Sequence, residues 1–412
     1  MKINTKLTLT ALFIGIISHS TFANDLSNFN EPNTLHLIQA LKNHQVHIVQ
    51  FGDSHTAADV MTDALRVRLQ QTLGNGGMGW GMPMYFTGQR LARYGYDNTG
   101  WLAVSSRSRQ DENYTLGGFL AIPRYDGATL TIKAKQIEQP QKITVSLRQA
   151  VNDAAFTGVD ANGRNFSIEA PVKNGQWQTT QFVAKLPFTI TAHHTEHSAI
   201  AGWWAENESG QGVVVSALGI NGAELSHWNR WNHQWQNEMQ KIAPDLVILA
   251  YGTNEAYNNQ VDVAAQRQIL INKIRDIRRA SPQSSVMLVS APESLKSTAE
   301  QCGIRPTQLT AFQMMQKQVA QTEKTLFWDW QHAMGGNCSM KGLIKQGEAR
   351  ADGVHFTASA YQRFGQSIAE ALLTLAEINP NTSSTMPRAS TSNLTTGSAT
   401  ICDVTSNQCK IF

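Results

Sequence analysis

Four short segments hold residues able to do acyl-transfer chemistry together. A serine hydroxyl is a weak nucleophile until an adjacent base takes its proton. Ser54, in Gly52-Asp53-Ser54-His55, supplies the hydroxyl. Asp352-Gly353-Val354-His355 supplies an imidazole, His355, and a carboxylate, Asp352, three positions earlier, so both side chains can face one way in a turn. Asn254, in Gly252-Thr253-Asn254-Glu255, has an amide that can donate to an oxyanion, and Gly222, in Asn221-Gly222-Ala223, offers a further backbone N–H. Taken singly, each has a plainer reading. Ser54 can be a helix cap, His355 a structural histidine, and Asn254 and Gly222 turn residues. A Gly-Asp-Ser string alone arises by chance in roughly one chain in ten of this size. Their order adds weight: each follows a strand's carboxyl end or lies in a closing turn, the edge where open α/β sheets build ligand sites.

The elements that must position them are legible as apolar runs. His47-Ile48-Val49-Gln50-Phe51 reads as a strand that breaks at Gly52 into a helical stretch over 56–73. Similar strands are read at 213–218 and 245–250, each ahead of a helix (231–242 and 261–280), with further strands at 286–289 and 326–328 and a last helix over 357–377. Strands apolar throughout, most of them separated by amphipathic helices, predict a doubly wound parallel α/β sheet covered on both faces. Residues 83–210 break this rhythm. Alternating runs at 129–134, 143–147 and 188–192, punctuated by Pro, Gly and Asn, predict an inserted antiparallel β sandwich. The expected division is a signal peptide at 1–23, the α/β domain at 24–82 and 211–378, the insertion at 83–210, and a flexible Ser/Thr-rich tail at 379–412.

Composition narrows the setting. Lys2 and Lys6, an apolar run over 7–17 and the small residues around Ala23 read as a cleaved export signal; that run falls short of the ~20 residues needed to span a bilayer. No stable membrane span is expected after cleavage. A net charge of +3 and a charged fraction of 16% offer no basic block for a phosphate backbone, so no nucleic-acid partner is expected. Four cysteines in an exported chain point to two disulfides rather than a metal site. Cys302/Cys338 with Cys402/Cys409 is the simplest of three connectivities, among which the sequence does not choose. Trp101, Trp177, Trp203 and Trp204 can stack on sugar rings, but tryptophans in a sandwich are more often core. His193, His194, Glu196 and His197 are crowded into a spacing unlike a zinc site and read as a solvated loop.

The order Gly-Asp-Ser, Gly, Gly-x-Asn and Asp-x-x-His resembles the SGNH (GDSL) hydrolase superfamily. Gly52-Asp53-Ser54-His55-Thr56-Ala57, the glycine-rich 74–81 with Trp80, and Asp352-Gly353-Val354-His355-Phe356 are similar to the peptidoglycan O-acetylesterases of Gram-negative bacteria. The resemblance spans most of 40–375. It implies Ser54 as nucleophile, His355 as base and Asp352 as its partner, with the oxyanion held by the Ser54 and Gly222 amides and the Asn254 side chain. It also implies an insertion like a carbohydrate-binding module, a periplasmic location, O-acetylated peptidoglycan as the substrate, with the 6-O-acetyl of N-acetylmuramic acid as the ester, and no metal or organic cofactor. Two alternatives stand beside it: a periplasmic O-acetyltransferase using the same triad, and a non-catalytic glycan-binding protein. The Ser/Thr tail and the terminal cysteines have no counterpart in the resembled pattern, and protein partners are not specified.

Overall fold

The computed structural model describes residues 25–379 and the backbone of 400–403 and 408–411. The predicted signal segment 1–23 and most of the tail lie outside the described residues, and so do the side chains of Cys402 and Cys409, whose backbones face each other in a two-stranded hairpin.

Near-continuous apolar runs do form a six-stranded sheet, in the spatial order Leu26–Asn28, Leu326–Trp328, Ser285–Val289, Leu246–Ala250, Gln45–Gly52 and Gly212–Gly219. All neighbours are parallel except the edge strand Leu26–Asn28, which runs antiparallel and which the sequence reading did not contain. The apolar alternation serves two cores. Val49, Phe51, Val247, Leu249, Val286 and Leu288 pack with the helix Val263–Ala280 on one face. Ile48, Ile248, Met287 and Leu326 pack with the helices Thr34–Lys42, Val60–Leu73 and Ala358–Leu375 on the other. Residues buried on both sides explain why these strands show no polar face.

Two predicted helices are corrected. The stretch 56–73 is broken: a short helix Ser54–Ala57 ends, Asp59 takes a left-handed conformation at φ 52°, and the longer helix starts at Val60. The buried Asp59 carboxylate holds that break, accepting from Ala92 N at 2.8 Å and from Arg66 Nη2 at 3.2 Å. Likewise the helix expected over 231–242 begins only at Trp235, after a 3₁₀ turn, Leu225–Arg230, that precedes the stretch. The helices Thr34–Lys42 and Leu309–Thr322 are additions to the sequence reading.

Between the first and second α/β units lie two antiparallel sheets. One contains Tyr94–Thr99, Thr129–Ala134, Phe156–Val159, Asn165–Ile168 and Phe188–Thr191; the other contains Trp101–Ser105, Phe119–Pro123, Gln141–Arg148, Gln178–Ala184 and Ala199–Asn207, with Gly79–Gly81 alongside. Phe166, Phe182, Phe188 and Trp203 interlock across their interior. Trp101, Trp177, Trp203 and Trp204 are all buried, which is the core reading of these residues. The module is joined to the α/β domain through Glu238 on the helix Trp235–Ile242, whose carboxylate accepts from Ser146 Oγ, from Trp204 Nε1 and Thr115 Oγ1 at 3.1 Å each. Burial pushes this carboxyl up to about 7 against those donors.

Candidate active site

Ser54 is placed by the abrupt end of the strand Gln45–Gly52. Asp53, fully buried, accepts from His55 N at 3.0 Å and so caps the short helix Ser54–Ala57. That helix lies directly on the neighbouring strand because Gly219 has no side chain; a Cβ there would run into Ala57 N. The result is a half-buried serine at the carboxyl edge of the sheet.

His355 arrives on a turn built for it. Asp352 Oδ1 accepts from the amides of Val354 at 2.8 Å and His355 at 2.9 Å, which closes the turn on its own carboxylate. Gly353 sits at φ +71°, and a Cβ there would lie 2.9 Å from Leu295 Cβ, so only glycine lets the turn pack so close. Leu295 N in return donates to Gly353 O at 2.7 Å. The segment holding Leu295 is tied by the Cys302–Cys338 disulfide, and Glu293 beside it accepts from Cys338 N and Met340 N at 2.9 Å each.

The three side chains meet in a line. Ser54 Oγ is 2.9 Å from His355 Nε2, and His355 Nδ1 is 2.9 Å from Asp352 Oδ2. Partial burial acts to raise the Asp352 carboxyl, but the His355 ring and the two turn amides outweigh it and hold it well below the usual carboxylate range. It therefore stays charged beside the imidazole. Beneath lies His55, wholly buried, its ring centroid 5.4 Å from that of His355 and its Nδ1 2.7 Å from Tyr361 Oη. Burial, with the neighbouring His355, lowers His55 to about 3, so it is neutral and adds no second positive charge.

On the other side of Ser54 two turns converge. Ile220 N donates to Gly52 O at 3.1 Å, which carries the loop with Gly222 past the serine, and Gly222 itself takes φ +70°. Asn254 Nδ2 donates to Ala223 O at 2.9 Å, leaving its second N–H for a ligand. Among the described residues the amides of Ser54 and Gly222 have no hydrogen-bond acceptor. The five residues singled out in the sequence are thus brought to one edge of the sheet.

Three contributors were missed. Arg107, on the loop after Trp101–Ser105, donates Nε to Gly222 O at 2.9 Å, so the inserted module reaches the site. Asp53, which burial pushes up to about 6, also accepts from the Thr253 hydroxyl and links the serine turn to the Asn254 turn. Glu255, beside Asn254, is buried and pushed up to about 8. No sequence signal marks Arg107 or Glu255, because their partners lie far away in the chain.

A nucleophile, a base with its carboxylate, and amide donors opposite can together transfer an acyl group without a bound metal or organic group. The comparisons agree with that chemistry. The family profile described as peptidoglycan O-acetylesterase, N-terminal, matches residues 76–189, and that of the GDSL-like lipase/acylhydrolase family matches 175–363. The chain is similar to a solved structure described as "Peptidoglycan O-acetylesterase in action, 5 min", with 38% identity, a TM-score of 0.78, and coverage of 86% of this chain and 99% of that one. More distant likenesses, which carry no argument, include a family two carbohydrate esterase from Cellvibrio japonicus (11% identity, TM-score 0.28, 69% of this chain and 99% of that one) and an acetyl xylan esterase (12%, 0.31, 39% and 80%). A comparison with curated protein sequences finds no match.

Proposed function

Because the chain belongs to the peptidoglycan O-acetylesterase family of GDSL hydrolases, we propose that it removes O-acetyl groups from peptidoglycan through an acetyl-enzyme on Ser54. It is a carboxylic ester hydrolase. The observation that carries the assignment of residues is the 2.9 Å approach of Ser54 Oγ to His355 Nε2, with Asp352 on the other ring nitrogen.

In this reading Ser54 Oγ attacks the acetyl carbonyl while His355 Nε2 takes its proton. The carbonyl π electrons move onto oxygen, and the Ser54 and Gly222 amides and the second Asn254 N–H donate hydrogen bonds to that oxyanion. As the tetrahedral adduct collapses, the bond to the sugar oxygen breaks and His355 returns the proton to that oxygen. Water then attacks the acetyl-serine with His355 as base, releasing acetate and restoring the hydroxyl. Asp352 keeps Nδ1 protonated and steadies the imidazolium in both halves.

The 6-O-acetyl of N-acetylmuramic acid as the ester, export to the periplasm, and glycan binding by the β module belong to the same proposal. No helix among the described residues is long and apolar enough to cross a membrane. The test is free acetate released from O-acetylated peptidoglycan, against a Ser54→Ala control. Release by the parent alone is expected; equal release by both would remove Ser54 from the mechanism.

A further inference from the structure

Glu255 is a buried carboxyl that the reaction scheme does not use. It follows Asn254 on the short helix Thr253–Tyr257 and is 1% exposed. Its Oε1 accepts from Leu225 N at 2.9 Å, while Oε2 is buried with no hydrogen-bond partner among the described residues. Next to it, Asn254 Nδ2 donates to Ala223 O at 2.9 Å. Two consecutive side chains of one turn therefore grip two points of the loop that carries Gly222. The far side of that loop is closed by a reciprocal pair, in which the His227 amide donates to Glu224 O at 3.0 Å and Glu224 N donates to His227 Nδ1 at 3.2 Å.

We propose that Glu255 is a positioning residue for the oxyanion site, fixing the Gly222 loop against the Asn254 turn through the Leu225 amide. The inference rests on reading Gly222 and Asn254 as oxyanion donors. Its electrostatics fit that role. Burial first, then the nearby Asp53 and Glu224 carboxylates, push Glu255 up to about 8, so near neutrality it is an uncharged acid. An ionised carboxylate in that place would oppose the negative charge that forms beside Asn254. A neutral acid leaves one oxygen to accept the Leu225 N–H and sets no like charge against the transition state. The buried Tyr251, whose ionisation is likewise disfavoured first by burial, adds no charge to this cluster.

The test is turnover of a soluble aryl acetate, which needs no glycan, by Glu255→Gln and Glu255→Met. Glutamine keeps an acceptor for Leu225 N, whereas methionine fills the space without one. The expected result is a kcat about tenfold or more lower for Glu255→Met at a KM within about threefold, and a kcat within about threefold of the parent for Glu255→Gln. In an Asn254→Ala background the Glu255→Met change should cost less than about threefold, because both act on one donor set. Equal falls for glutamine and methionine, a change confined to KM, a full-sized loss in the Asn254→Ala background, or a methionine variant that fails to fold while the glutamine variant folds would each overturn the proposal. An Asn254→Ala enzyme with undiminished kcat would instead overturn the oxyanion reading beneath it.

Discussion

The two sides of Ser54 are built differently. On the side proposed to move the proton, His355 and Asp352 stand half-open to solvent, with 33% and 44% of their side chains exposed, on one turn whose carboxylate binds its own amides. On the side proposed to hold the oxyanion, Asp53 and Glu255 are buried, and the loops are strapped by Asn254, Glu255 and the incoming Arg107. The difference follows from what each side handles. A proton-carrying imidazole is helped by water and a charged partner, whereas a developing oxyanion is stabilised most by fixed donors that need no reorganisation. The open side's carboxylate and imidazole are therefore joined within one turn, whereas the closed side is joined by side chains distant in sequence.

The largest expected break in that comparison comes from His355→Ala, which removes the one base in contact with Ser54 among the described residues: turnover of an aryl acetate should fall on the order of 10³-fold or more, read as kcat. Asn254→Ala takes one donor from the closed side and should lower kcat roughly 10²–10³-fold with little change in KM. Asp352→Asn should cost about 10²-fold, less than for a buried triad carboxylate, because Asp352 and His355 are half-open and water can partly replace the carboxylate. A loss as large as that of His355→Ala would mean that the two sides are equally dependent on fixed groups.

The smallest effect is one of stability. Glu238 anchors the helix after the Gly222 loop to the β module, and its carboxyl is raised to about 7 from an ordinary 4.5. The stabilisation from binding a proton in the folded state is complete below the ordinary value and is lost as pH rises through 7. The parent should therefore lose about 2 kcal/mol of unfolding free energy between pH 5 and pH 8 that Glu238→Gln does not lose, measured by denaturant titration.

The same contrast explains what the sequence disclosed. The parallel strands are legible because burial on both faces makes them continuous apolar runs, and the triad is legible because Asp352 and His355 share one turn next to a helix start. Ser54, Gly222 and Asn254 stand out because each follows such a strand. The edge strand Leu26–Asn28 is too short to show a pattern. The break at Asp59 depends on Arg66 and on Ala92, far along the chain, so helical periodicity runs through it. Glu255 reads as a polar residue in a turn until Leu225 is placed against it, and Arg107 reads as a solvated charge until Gly222 is. Local chemistry was readable, and the strapping of the oxyanion side was not.

The covalent intermediate gives the most direct test. Rapid acid quench during turnover of O-acetylated substrate, followed by peptide mass analysis, should find an acetyl group on the peptide containing Ser54, at the highest occupancy in a variant slowed in deacylation. Acetate release at the parental rate with no acetyl on Ser54, or with the acetyl carried by another residue, would contradict the account.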